Sequence, residues 1–319
     1  MRDCFLHIGT HKTGTTSIQE MMHGGRCKLL QNGFLYPTTG ILPGSSGHHN
    51  ISWQIRKDRR FSAEFGTVED LLSEIAAFDK DVILSSEDFE CSFDHLEEFV
   101  AGLESRGRRK VAIIVYFRDQ LSYAKSLYLE LMWHDYHWTF EEFLSELITT
   151  RAIAWHDWRF PFDYKLMASR LPSRVNLIVR PFNRASSVLN DFTSIFGLSP
   201  HELGTDSEFR INNQKPIGEA LARFHYNRTR KRCDPTKLVS LWEGVANMDE
   251  INGDIGHESR MKLISAFAES NLWMDAQFEM LTLSDLLKHE AGKQASSSRS
   301  LDLEELFSKG SLDRIGELD

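Results

Sequence analysis

Apolar residues in this chain fall into short unbroken runs separated by stretches of helical spacing. Residues 4 to 9 form the first run. Gly33 to Pro37, Asp81 to Ser86, Val111 to Phe117 and Val175 to Val179 follow. A short apolar run bounded by turn residues reads as a strand buried on both faces, and Val111 to Phe117, β-branched and aromatic throughout, is the clearest. Between the runs, apolar positions recur with helical period over about 14–31, 68–78, 93–103, 120–133, 138–148, 164–170 and 186–196. Gly24-Gly25 predicts a bend or an end in the first helix, and Gly197 closes the last. The Gly-, Ser- and His-rich stretch 38–52 is expected to be an exposed loop.

Strand and helix in alternation predict an α/β chain, a three-layer α/β/α arrangement around a central parallel sheet. Beyond residue 215 no strand is expected. Helices are predicted over 215–231 and 260–274, within one domain that reaches about residue 290. Residues 291–319 are Ser-rich, then charged, and read as a poorly ordered tail with one short helix over 301–307.

Composition narrows the partners. The 319 residues carry a net charge of −9, which argues against general affinity for nucleic acid but leaves room for a local basic pocket. The four cysteines, Cys4, Cys27, Cys91 and Cys233, are scattered and form no C-x-x-C pair, the pattern of reduced thiols in a cytoplasmic protein. Met1-Arg2-Asp3 leads straight into a strand rather than into a signal peptide. No apolar run approaches the roughly 18 residues of a membrane span.

The candidate chemistry begins where the first strand ends. Thr10-His11-Lys12-Thr13-Gly14-Thr15-Thr16-Ser17 is a tight loop leading into a helix, the form of an anion cradle. Gly9-x4-Gly14 has the spacing of a Walker A loop, but Thr15-Thr16 stands where Lys-Ser/Thr belongs, and the lysine is Lys12, inside the loop. Gly14 would let backbone approach an anion. Thr15, Thr16 and Ser17 add hydroxyl donors, and Lys12 supplies a point charge.

This block resembles the 5′-phosphosulfate loop of the sulfotransferase superfamily, and its wording is similar to the bacterial branch. The resemblance implies a P-loop-like fold that binds 3′-phosphoadenosine-5′-phosphosulfate (PAPS) and releases 3′,5′-adenosine bisphosphate. It places the 5′-phosphate on Lys12 and on Thr13, Gly14, Thr15, Thr16 and Ser17. It implies a 3′-phosphate site made of an Arg at a strand end and a Ser eight residues on, which falls on Arg118 and Ser126, with Ser122 as a substitute. Asp119-Gln120 departs from the family's proline-containing turn. The family's general base falls on Glu87 in Ser85-Ser86-Glu87, with Asp88 and His11 as the other candidates. A late loop closing over the 3′-phosphate falls on Arg210, Asn212 and Lys215.

The expected reaction is sulfuryl transfer to a hydroxyl or amine, on a carbohydrate or glycolipid. Aromatic and His residues crowd His48 to Trp53, Trp133 to Trp138 and Trp155 to Trp158. No metal is expected, since the His/Asp spacings there lack a paired cysteine. Two alternatives stay open: a P-loop kinase or NTPase, and a non-catalytic relative that holds nucleotide or glycan.

Overall fold

The computed structural model describes residues 2–107, 109–182, 187–206, 217–232, 255–278 and 303–316. Along the chain, β1 (Arg2–His7) leads to α1 (Thr15–Gly24) and α2 (Arg26–Gln31), then β2 (Phe34–Leu35), α3 (His49–Ile55), α4 (Val68–Ala76) and β3 (Asp81–Ser85). A 3-10 helix, Glu87–His95, runs into α5 (Leu96–Ser105), and β4 (Arg109–Phe117) follows. Next come α6 (Gln120–Leu131), α7 (Phe140–Thr150), β5 (Ala152–Trp155), β6 (Trp158–Pro161), α8 (Tyr164–Arg170), β7 (Asn176–Pro181) and α9 (Val188–Ser194). Two long helices, α10 (Ile217–Thr229) and α11 (His257–Phe278), complete the larger elements.

Residues 1–118 and 157–212 form one compact unit; 119–156 and 213–319 form a second. The first unit holds a five-stranded parallel sheet in the order β2-β3-β1-β4-β7. Alternation along the strands divides its side chains between two faces. Ile83, Ile114 and Tyr116 pack with Ile18, Met21 and Met22 of α1, Leu29 of α2, and Leu189 and Phe192 of α9. On the other face Phe117 stacks on Tyr164 of α8, ring centroids 4.2 Å apart. The sheet is thus central, parallel and flanked by helices, as the alternation of the sequence predicts.

Strand order places the ligand edge. The chain leaves β1 toward β2 and β3 and leaves β4 toward β7, although β1 and β4 are neighbours. Such a reversal opens a crevice at the carboxyl ends of the two strands, where open α/β sheets bind ligands. The Thr10–Gly14 loop leaves β1 at that end, and Arg118 directly follows β4.

Three segments differ from the sequence reading. Residues 38–52 are not an exposed loop: His48, Asn50, Ile51 and Ser52 are buried, and 49–55 are helical. The cause is polar pairing invisible to a hydropathy pattern. His48 N donates to Ser85 O at 2.8 Å, Ser85 N donates to His48 Nδ1 at 3.1 Å, and His48 Nε2 reaches Pro37 O at 3.1 Å. The helix read from residue 93 is preceded by the 3-10 segment, capped by Ser86 Oγ accepting from Asp88 N. β5 and β6 were not expected.

The described residues of the second unit are mainly helical. In it Asn227 Nδ2 donates to the carbonyls of Met132 and Tyr136 at 2.8 and 2.7 Å, tying α10 to the turn after α6. The described part of the C-terminal segment contains two short helices, Leu303–Leu306 and Lys309–Gly316, and Leu303, Leu306 and Phe307 are buried. Phe307 lies 5.1 Å from the ring of Tyr128. Among the described residues no helix is long and apolar enough to cross a membrane.

Candidate functional site

The loop after β1 is fixed by its own threonines. Thr10 N and Oγ1 both donate to Tyr116 O at 3.0 Å, which pins the loop to β4. Thr13 Oγ1 donates to Thr10 O at 2.6 Å and closes the turn. Lys12 and Gly14 are left-handed, with φ of 63° and 78°. Gly14 is the N-cap of α1 and, lacking a side chain, makes no side-chain cap hydrogen bond. Its lack of a side chain serves packing as well as conformation: a Cβ there would lie 3.0 Å from Val188 Cγ1 of α9. Thr13, Thr15 and Ser17 are buried; Lys12, Gly14 and Thr16 are half-buried.

Arg118 joins this loop from β4. Its Nη1 donates to Lys12 O at 3.0 Å, its carbonyl accepts the Tyr164 hydroxyl, and its guanidinium lies 5.7 Å from the ring of Phe182. Two motifs 106 residues apart therefore meet at one sheet edge. Ser126 and Ser122 belong to the second unit, both half-buried on α6, whose N-cap Asp119 accepts from Ser122 N at 2.8 Å. Arg210, Asn212 and Lys215 lie outside the described residues.

Glu87 stands across from the loop. A Cβ on Gly9 would come within 3.2 Å of Glu87 Cα and Cβ, so the glycine allows the end of β1 and the 3-10 helix to touch. Glu87 Oε2 accepts from Gln19 Nε2 of α1 at 2.6 Å. Asp88 Oδ2 accepts from Trp53 Nε1 at 2.8 Å and lies 3.4 Å from His49 Nδ1. Glu90, fully buried, accepts from His11 N at 2.7 Å and pairs with His11 Nδ1 at 2.6 Å. In a 3-10 helix residues three apart eclipse one another, so Glu87 and Glu90 share one side and Asp88 and Cys91 another.

Around these carboxylates lies a cationic frame. Arg56 pairs with Asp58, and Arg60 Nη2 lies 2.7 Å from the same carboxylate. Both guanidinium groups also approach Asp88, at 3.6 and 3.8 Å. Arg60 sits over the indoles of Trp53 and Trp158, 4.5 and 4.9 Å from their centroids, a cation–π contact on two rings.

The protonation states follow from this neighbourhood. Burial opposes the charge on Glu87, but His49, His11 and the amide of Gln19 outweigh it, and its pKa lies below the usual glutamate value. Burial also opposes ionisation of Asp88, yet His49, His11 and Arg60 hold it well below the carboxylate range. For His11, burial alone would lower the pKa; the hydrogen bond to Glu90 and the nearby carboxylates raise it instead. His49 is raised against burial by Glu87 and Asp88. His7 and His48, buried without a carboxylate partner, are both pushed down to about 4 and are neutral core residues. The site thus sets ionised carboxylates beside two imidazoles whose proton affinity they raise, at one end of the sheet.

The loop, Arg118, Glu87, Asp88 and His11 are named in the sequence reading. It named His49 and Trp53 only as members of an aromatic stretch. It missed Gln19, Arg56, Asp58, Arg60 and Glu90, which come together only through the fold. No protein-family model matches the chain, and no match is found among curated proteins.

Proposed function

We propose that this chain is a PAPS-dependent sulfotransferase acting on a hydroxyl or amine of a carbohydrate or glycolipid. The observation that carries the reading is the Arg118–Lys12 contact. It joins the loop and the strand-end arginine, the two motifs of the resemblance, at the switch point of the sheet. In this reading the first turn of α1 and the Lys12 ammonium hold the 5′-phosphosulfate of a P-loop-like site. Arg118 holds the 3′-phosphate. Glu87, ionised and facing the loop, takes the proton of the attacking nucleophile as the S–O bond to the nucleotide breaks and the new S–O or S–N bond forms. Lys12 offsets charge on the departing phosphate. In this reading the acceptor lies beside Trp53 and Trp158, whose indoles sandwich the Arg60 guanidinium.

A kinase reading lacks support at the loop, because Thr15 occupies the position that a phosphate-binding lysine would need. Nucleotide-dependent thermal stability tests the choice. 3′,5′-Adenosine bisphosphate is expected to raise the melting temperature, and MgATP is not. Lys12→Ala and Arg118→Ala should each reduce the shift. Stabilisation by MgATP alone would refute the assignment.

A further inference from the structure

His11, Asp88 and Cys91 present ligand atoms that all lie within 4.8 Å of one another, though the sequence gives no metal spacing. We infer that these three side chains form a binding site for a thiophilic divalent ion of the Zn²⁺ class, with a coordination position left for water. Several features support it independently of the sulfotransferase reading. The eclipsed spacing of the 3-10 helix puts Asp88 and Cys91 on one side, a short rigid two-ligand arm. The third ligand comes from the loop after β1. Its imidazole is already oriented, because Glu90 engages His11 Nδ1 at 2.6 Å and leaves Nε2 as the metal-binding atom. A carboxylate on the far nitrogen is the usual support of a metal-bound histidine.

Asp88 is supported as well: Trp53 Nε1 donates to its Oδ2 at 2.8 Å. His11 and Cys91 are only partly buried, so an ion has access. Thiolate, imidazole and carboxylate together favour zinc-like ions over Mg²⁺ or Ca²⁺. Binding releases the Cys91 thiol proton, and Cys91 then bonds the metal as thiolate.

Co²⁺ is the probe, added to the full chain under reducing conditions. The expected result is one-to-one binding with a thiolate-to-cobalt charge-transfer band, displaced by Zn²⁺ but not by Mg²⁺. Cys91→Ser should abolish the band, while Cys27→Ser, at an exposed cysteine, should retain it. Glu90→Gln should keep the band and weaken affinity at least about tenfold, as expected of a positioning residue. Alkylation of the unmodified chain, mapped by mass spectrometry, gives a readout that needs no variant: Zn²⁺ should protect Cys91 and not Cys27. Absence of the charge-transfer band in the native chain, its survival in Cys91→Ser, or equal alkylation of Cys91 with and without Zn²⁺ would each overturn the site.

Discussion

Glu87, the proposed base, sits among charges that lower its proton affinity. Its pKa is depressed, so the proton-accepting form persists as pH falls through the usual glutamate range, and is lost only below it. Turnover should therefore show no acid limb between about pH 5 and 7. Glu87→Gln should leave bisphosphate affinity within about twofold and lower turnover by at least about 100-fold. Its amide keeps a partner for Gln19, which makes loss of turnover a statement about the proton rather than about folding. An acid limb near the histidine range, with activity retained in Glu87→Gln, would move the base to an imidazole. The residue types at this edge were readable, because Arg118 and Glu87 directly follow recognisable strands and Lys12 lies in the short loop between a strand and a helix. Their partners were not. Glu90 and Arg60 look like solvated charges in the sequence, and only the fold shows that Glu90 is buried against His11 and Arg60 lies between two indoles.

The loop into α1 depends on backbone shape more than on any one side chain. Gly14 combines φ of 78° with a neighbour, Val188 Cγ1, 3.0 Å from where a Cβ would stand. A left-handed non-glycine residue costs about 1–2 kcal/mol, and α9 would also have to yield. Gly14→Ala should thus destabilise the protein by at least about 1–2 kcal/mol in denaturant unfolding; an unchanged or higher stability would contradict this packing. The glycine was expected for the approach of an anion, whereas the structure supplies a packing reason of its own. Hydropathy also misjudged 38–52, since His48, Asn50 and Ser52 are buried by hydrogen bonds rather than by apolar character. The 3-10 segment was hidden for a similar reason. Its Asp88 and Glu90 are buried with ion partners, so they break the apolar period that marks a helix.

Across the molecule, alternation of strand and helix was enough to predict a parallel sheet, because runs such as Val111 to Phe117 have no polar face to turn to solvent. Strand order was not readable, since it depends on pairings between distant segments. That order makes β1 and β4 neighbours and brings Lys12 to Arg118. If this edge holds a nucleotide with anions at both its 5′ and 3′ positions, affinity must depend on both. Calorimetric titration of the full chain with 3′,5′-adenosine bisphosphate and with adenosine 5′-monophosphate measures this most directly. The bisphosphate should bind at least about tenfold more tightly, a difference of about 1.4 kcal/mol or more. Arg118→Ala should erase that difference while leaving monophosphate affinity nearly unchanged. Equal affinity for the two nucleotides in the native chain would contradict the account.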